Sequence, residues 1–176
     1  MALHTPEYQP TGDEVAVFDT SKGTIRVQLM GKEAPIHVGN FVELANKGFY
    51  DGLKFHRYVP GFVVQGGCPN TRDFSGEQVA EMVAQRRGNF GTGNPGYSIK
   101  EEFTTNPRNE HNDGTLAMAR SADPNSAGSQ FYFCLGPQPM LDDGYTVFGQ
   151  PLEGLDVIHS LRAGDVIESV KIENAA

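Results

Sequence analysis

Most of this chain consists of short apolar runs with turn-forming residues between them. EVAVFDT and TIRVQLM alternate apolar and polar residues on either side of a turn at TSKG, a pattern that predicts a β-hairpin. GFVVQGG, GTLAMAR, SQFYFCL, YTVFGQ and ESVKIE follow, flanked by glycine, proline, asparagine or aspartate. The 21 glycines are spread along the chain, which fits turns and not a disordered tract. Strands that are this short and this numerous predict a mainly β domain, either a barrel or a sandwich.

Two segments have the longer spacing of an amphipathic helix. APIHVGNFVELANKG places apolar residues at positions i, i+3, i+4 and i+7, with Pro35 suited to its first turn and Lys47-Gly48 to its end. EGLDVIHSLRAG predicts a second helix, which would turn Leu155, Ile158 and Leu161 inward.

Residues 68–113 form a different, mostly polar stretch that is rich in glycine and asparagine. Ser75 precedes Gln78 by three positions, which is the spacing of a helix-capping box. The apolar stripe of Val79, Met82 and Val83 follows. We therefore expect a short surface helix over residues 76–86, packed on the barrel wall near GTGNPGYSIKEEF.

Length and charge exclude several classes of protein. A chain of 176 residues with no linker or repeat predicts one domain over residues 1–176. The net charge of −8 argues against a nucleic-acid binder, which would need a basic face. No apolar run approaches the ~20 residues of a membrane span. MALHTPEYQP lacks the pattern of a signal peptide, so we expect a cytoplasmic protein that contacts no membrane.

The residues that usually hold metals or act as nucleophiles show no familiar pattern. Cys68 and Cys134 form no CxxC pair and predict free thiols. The histidines lie at no metal-ligand spacing, so we expect neither a metal nor another cofactor. AGSQF around Ser129 is not the nucleophile elbow of a hydrolase, and GTGNPG lacks the lysine of a phosphate loop.

Three segments carry a resemblance to a known family. FHRYVPGFVVQGG, GTLAMARSADPNSAGSQFYF and LDDGYTVFGQPLEGLDVI are similar to the signature segments of the cyclophilins, the peptidyl-prolyl cis-trans isomerases. The resemblance covers roughly residues 13–173, and residues 69–90 are longer than the matching loop of compact members. It implies a closed antiparallel barrel of eight strands, capped by two α-helices, with an extra short helix in the inserted loop.

The resemblance also implies which residues form the site. The family's catalytic arginine matches Arg57, and the glutamine of its QGG motif matches Gln65, which would hold Arg57 or a substrate carbonyl. The residues that would bind substrate are Phe62, Val63, Ala119, Arg120, Gln130, Tyr132, Met140, Leu141 and Tyr145. Gln130 would bind the peptide backbone. Because bond rotation transfers no proton, His56 is expected to be structural although it lies beside Arg57.

Some of these positions depart from the family pattern. Met140 replaces the tryptophan of eukaryotic cytosolic members, Tyr145 replaces a histidine, and Arg120 replaces an asparagine. In members that bind the cyclic peptide cyclosporin tightly, that tryptophan donates its indole N–H to the drug. Methionine has no such donor, so we expect weak cyclosporin binding.

The leading functional expectation is a monomeric isomerase that acts on proline-containing peptides and on folding proteins. One alternative is a proline-peptide binding or scaffolding module of the same fold with low turnover. Arg57, Phe62 and Gln65 are all intact, which favours the enzyme. A third possibility, compatible with either, is a partner-docking protein that uses the 68–90 segment.

Overall fold

The fold is a single curled antiparallel sheet of eight strands, which confirms the mainly β prediction. A computed structural model describes residues 3–174. The strands are β1 (Glu14–Thr20), β2 (Gly23–Leu29), β3 (Arg57–Val59), β4 (Val63–Gly66), β5 (Leu116–Met118), β6 (Phe131–Cys134), β7 (Val147–Glu153) and β8 (Ile167–Asn174). Their order across the sheet is β3-β4-β6-β5-β7-β2-β1-β8, so β1 and β2 form the predicted hairpin.

The barrel is not closed by a strand pair, so the expected closure is only partial. β3 and β8 lie at opposite ends of the sheet order, and the segments that precede them meet at the seam. The Phe55 N–H donates to the Asp165 carbonyl at 2.9 Å, and the Gly164 N–H donates to the Phe55 carbonyl at 2.8 Å. The Ile167 N–H donates to the Leu53 carbonyl at 2.8 Å. These bonds hold the two edges together over a short stretch.

The central strands are buried on both faces, unlike an ordinary half-exposed antiparallel sheet. In β6, Phe131 and Phe133 point into the main core inside the barrel, while Tyr132 and Cys134 join a second apolar cluster. The second cluster lies on the outer face because side chains alternate along a strand. Its other buried members are Met30, Val63, Ala117 and Val147. The outer face of strands β4 to β7 is therefore an apolar surface, which is called the floor below.

Two helices fill the openings of the barrel. Helix α1 (Pro35–Asn46) begins at the predicted proline, and the ring of its Phe41 contacts Phe18, Phe131 and Phe148. Helix α3 (Leu155–Ser160) buries Ile158 as predicted. Leu155 was expected inward as well, but it is 40% exposed because it opens the helix beside the surface turn at Gly114. No helix within residues 3–174 is long and apolar enough to span a bilayer.

The polar stretch contains the third helix, α2 (Gly76–Ala84), which confirms the predicted surface helix. The Ser75 hydroxyl accepts from the Gln78 N–H at 3.1 Å, and the Gln78 side chain accepts from the Ser75 N–H at 2.8 Å. One side of this helix lies at the seam, because a Cβ on Gly76 would clash with the Gly164 carbonyl and a Cβ on Gly164 would clash with Ala80. The expected packing of the apolar stripe near GTGNPGYSIKEEF stays a prediction.

Residues 3–12 precede the stretch that resembles the family, and they lie over α1. The Glu43 carboxylate on α1 accepts from the backbone N–H groups of Glu7 at 2.6 Å and Tyr8 at 2.9 Å. The His4 N–H donates to the Ser98 carbonyl at 2.7 Å. The start of this N-terminal segment therefore lies beside the 91–98 loop.

The capping box gives a testable prediction for the insertion. Ser75→Ala removes one acceptor for an otherwise unpaired helix N–H, and we expect α2 to lose about 1 kcal/mol. Amide hydrogen exchange of residues 78–84 should then be about fivefold faster. Ser75→Asp keeps an acceptor at the cap and is the control. Equal exchange rates in the two variants would contradict the role assigned to the cap.

Candidate functional site

The functional residues lie in a row across four neighbouring strands. Arg57 of β3 pairs with Gln65 of β4, Gln65 pairs with Tyr132 of β6, and Tyr132 pairs with Ala117 of β5. Directly paired residues project from the same face with Cβ atoms about 5 Å apart. The register therefore places the guanidinium, the amide and the phenol side by side on the apolar outer floor. Pro60-Gly61 makes the turn between β3 and β4, and Gly61 has the positive φ of 69° that this turn requires.

A chain of hydrogen bonds holds the Arg57 guanidinium. Its Nη1 donates to Gln65 Oε1 at 3.4 Å, and Gln65 Nε2 donates to Gln130 Oε1 at 3.0 Å. Gln130 Nε2 then donates to the Gly93 carbonyl at 2.9 Å. Of the two partners predicted for Gln65, the structure shows Arg57. The Gln130 amide orients Gln65, and its expected contact with the peptide backbone stays a prediction.

Most of the predicted site residues surround one cavity of about 460 Å³. Those that line it are Arg57, Phe62, Val63, Gln65, Ala119, Arg120, Tyr132, Leu141 and Tyr145. Gln130 lines a neighbouring cavity of about 630 Å³, which shares Gln65, Ala119 and Arg120 with the first. Met140 lines neither cavity. Its side chain is 70% exposed on the short 3-10 turn Pro139–Leu141.

Two polar residues that the sequence analysis did not single out orient the floor of the cavity. The Tyr132 hydroxyl lies 2.9 Å from His111 Nε2, and His111 Nδ1 lies 2.8 Å from the Asp142 carboxylate. Burial lowers the pKa of His111, and the hydrogen bond and charge of Asp142 only partly oppose this. A neutral His111 with its proton on Nδ1 donates to Asp142 and accepts from Tyr132. The chain fixes the Tyr132 ring without adding a charge to the floor.

His56, which the sequence analysis expected to be structural, also lines the cavity beside Arg57. Its side chain is buried, and Nδ1 has no hydrogen-bond partner among residues 3–174. Burial, reinforced by the positive charge of Arg57, lowers the pKa of His56 to about 4. His56 is therefore neutral at physiological pH and contributes an uncharged wall.

The insertion also reaches the cavity, through Phe90 and Gly91. Phe90 packs edge-on against Phe74 with ring centroids 5.7 Å apart. Asn70 Nδ2 donates to the Asn89 carbonyl at 2.9 Å, which ties the end of the insertion to its beginning. No local pattern marked these two residues, because the folding back of the loop brings them to the site.

Arg120 is fixed more firmly than a surface arginine. Nε donates to the Gly144 carbonyl at 2.6 Å, and Nη1 donates to the Ser121 carbonyl at 2.9 Å and the Ala122 carbonyl at 3.3 Å. The guanidinium carbon lies 4.8 Å from the centroid of the Tyr145 ring. Arg120 thus connects the loop that carries Tyr145 to the end of β5.

A family comparison identifies the group of proteins to which this fold and site correspond. The model of the family described as "Cyclophilin type peptidyl-prolyl cis-trans isomerase/CLD" matches residues 15–176. The chain belongs to the cyclophilins. It is a peptidyl-prolyl cis-trans isomerase, and the activity expected from the signature segments is confirmed.

Curated cyclophilins resemble the chain over most of its length. A peptidyl-prolyl cis-trans isomerase of Synechococcus elongatus is 48% identical over 159 residues, which are 89% of this chain and 94% of the relative. Peptidyl-prolyl cis-trans isomerase B of Bacillus subtilis is 43% identical over 149 residues, 85% of this chain and 90% of the relative. Among solved structures, a Cryptosporidium parvum cyclophilin superposes with a TM-score of 0.74 at 23% identity, covering 91% of this chain and 97% of that one.

The buried His56 predicts how the stability of this cyclophilin depends on pH. Its pKa of about 4 lies below the usual histidine value of 6.5, so the unfolded chain binds a proton first as the pH falls. The stability from neutral His56 is present above pH 6.5 and is lost towards pH 4, by about 3 kcal/mol at most.

Urea denaturation at pH 7, 6 and 5 measures this loss. His56→Gln has no imidazole to protonate, so its unfolding free energy should fall less steeply with acid than that of the wild type. Parallel curves for the two proteins would contradict the burial of a neutral His56.

Proposed function

We propose that Arg57 lowers the barrier to rotation by donating a hydrogen bond to the prolyl nitrogen of the twisted peptide bond. A planar peptide bond resists rotation because resonance gives C–N double-bond character, with a barrier of ~18–20 kcal/mol. Twisting breaks the resonance, and the nitrogen lone pair becomes an acceptor. A donor that Gln65 holds in place binds the twisted state better than the planar one, and such differential binding accelerates a reaction. The single observation that carries the proposal is the contact between Arg57 and Gln65 at the edge of the 460 Å³ cavity.

The size of the rate acceleration requires a second contribution besides that of Arg57. Uncatalysed X–Pro bonds exchange over tens to hundreds of seconds, so millisecond exchange needs about 10⁴-fold, or roughly 5–6 kcal/mol. One preorganised donor supplies about 2.7–4 kcal/mol in a dry site, and Arg57, which is exposed in the free protein, meets this condition when a bound peptide covers it. The remainder must come from holding the substrate in place and excluding water from it.

We assign that second contribution to the apolar walls of the 460 Å³ cavity. Phe62, Leu141 and the Tyr132 ring face one another there and would hold the proline ring. A Cryptosporidium parvum cyclophilin has been crystallised in the presence of the dipeptide Ala-Pro, and it superposes on this chain with a TM-score of 0.68 at 23% identity. Proline-containing peptides are accordingly the substrates we propose, without a metal or other cofactor.

The oligomeric state, the compartment and the natural substrates are also proposals. We propose that the protein acts as a monomer in the cytoplasm on unfolded and folding chains. The buried free thiols of Cys68 and Cys134 suit a reducing compartment. A low-turnover binding module was the alternative considered from the sequence. The held guanidinium favours the enzyme, because a site that only binds proline needs no fixed donor beside it.

Replacement of Arg57 tests the mechanism. Arg57→Ala removes the donor, and we expect kcat/KM on an Ala-Pro peptide to fall about 10²–10³-fold while the protein stays folded. A protease-coupled isomerisation assay measures the rate, and circular dichroism measures the fold. Arg87→Ala, an exposed arginine of the insertion, is the control and should leave the rate unchanged. A folded Arg57→Ala variant with wild-type turnover would refute the proposed role.

Cyclosporin binding tests the consequence of Met140. The exposed thioether side chain offers no N–H donor, so calorimetry should show binding well weaker than nanomolar. Met140→Trp adds an indole donor at the rim and should tighten binding about tenfold. Leu152→Trp places the same side chain on the exposed end of β7 and is the matched control. Nanomolar binding to the wild type would overturn this expectation.

A further inference from the structure

Two guanidinium groups face the same cavity without a carboxylate to neutralise them. Arg57 and Arg120 both line the 460 Å³ cavity, and neither forms an ion pair with an acidic side chain of residues 3–174. Arg26 and Arg108, by contrast, pair with glutamates elsewhere on the surface. The whole protein carries a net charge of −8, so this cavity is a local positive site on an acidic molecule. Such a site attracts anionic groups.

The Arg120 guanidinium is held in one orientation, and only its Nη2 has no partner within residues 3–174. Nε and Nη1 are bound by the backbone carbonyls of Gly144, Ser121 and Ala122. The rings of Tyr145 and Phe103 lie 4.8 Å and 5.7 Å from the guanidinium carbon. Nη2 donates to no group within residues 3–174. A guanidinium that is already fixed loses little conformational entropy when its Nη2 binds a carboxylate.

The position of Arg120 decides which part of a substrate it would meet. It lines both the 460 Å³ cavity and the neighbouring cavity of about 630 Å³. A peptide whose proline occupies the first cavity and whose chain continues into the second must pass Arg120. The second cavity is lined mostly by small and polar residues, and its single acidic residue is Asp123. Negative charge is therefore favoured at the boundary and opposed deeper in the second cavity.

We propose that the Arg120 side chain makes this isomerase prefer peptides with a carboxylate side chain next to proline, on the side that enters the second cavity. Arg120 acts here as a specificity determinant through its own charge, in addition to any backbone contact. The inference rests on the proposed function, in which proline occupies the 460 Å³ cavity. The group is partly exposed and its partner would be screened by salt, so we expect a preference of about three- to tenfold.

Matched peptides that differ only in charge test the preference. Glutamate and glutamine have the same shape, so each is placed in turn at the two positions before proline and the two positions after it. Wild-type kcat/KM at low salt should favour glutamate about three- to tenfold at one position adjacent to proline. The gain should lie mainly in KM and should shrink as salt is added.

Variants of Arg120 separate its charge from its structural role. Arg120→Gln should reduce the glutamate-to-glutamine ratio to about one, and Arg120→Lys should keep part of it because the charge remains. Arg87→Gln makes the same change in net charge at an exposed residue that lines neither cavity, and it should keep the full ratio. An equal loss on all peptides in Arg120→Gln would show that Arg120 only supports the Tyr145 loop, and this would overturn the proposal.

Two further outcomes keep the inference distinct from the mechanism. Equal rates for glutamate and glutamine at all positions in the wild type would also overturn it. Calorimetry on the same peptide pairs reads the preference from binding alone, without turnover. If the wild type failed to isomerise the glutamine peptides, the assigned role of Arg57 would be wrong, but the binding ratios would still confirm or refute the role of Arg120.

Discussion

The pairing of β3 with β4 is the constraint on which the site depends. Its register sets Arg57 opposite Gln65, and a slip of β3 by one residue would turn the Arg57 side chain to the other face of the sheet. The guanidinium would then point into a core of phenylalanine rings, where an unpaired charge is very costly. Burial of both faces of β4 and β6 resists such a slip, because each residue has a defined place in one of the two apolar clusters. The same packing therefore fixes the fold and orients the Arg57 guanidinium.

Features encoded by residues close in sequence could be predicted. FHRYVPGF contains the arginine, the turn and the apolar wall within one short segment, so their placement on one face follows from a strand, a tight turn and a second strand. The capping box at Ser75 and Gln78 located α2 in an otherwise polar stretch, because both partners of the cap lie within one helical turn. The three-residue strand β3 gives no periodic signal of its own, and only its partner β4 was recognisable.

Features that depend on long-range contacts could not be predicted from the sequence. His111 lies in a polar segment with no apolar pattern, yet it connects Tyr132 to Asp142, both more than twenty residues away. Phe90 reaches the cavity only because the insertion folds back on itself. Helix α2 packs against Gly164 because Gly76 and Gly164 allow the two backbones to approach closely. The spacing of apolar residues along a helix does not indicate such a contact. Met140 matched a family position, but the exposed turn that carries it places its side chain outside both cavities.

The partly closed seam has a consequence for an enzyme that meets unfolded chains. An open sheet edge is a template on which any extended polypeptide can add as a further strand. Here β3 is only three residues long, and the Arg162 guanidinium lies 4.4 Å from the centroid of its Tyr58 ring. The residues before β3 and β8 satisfy each other across the seam. At the edge beside the cavity, a client would find only the three residues of β3 to pair with, so strand addition next to the active site is disfavoured.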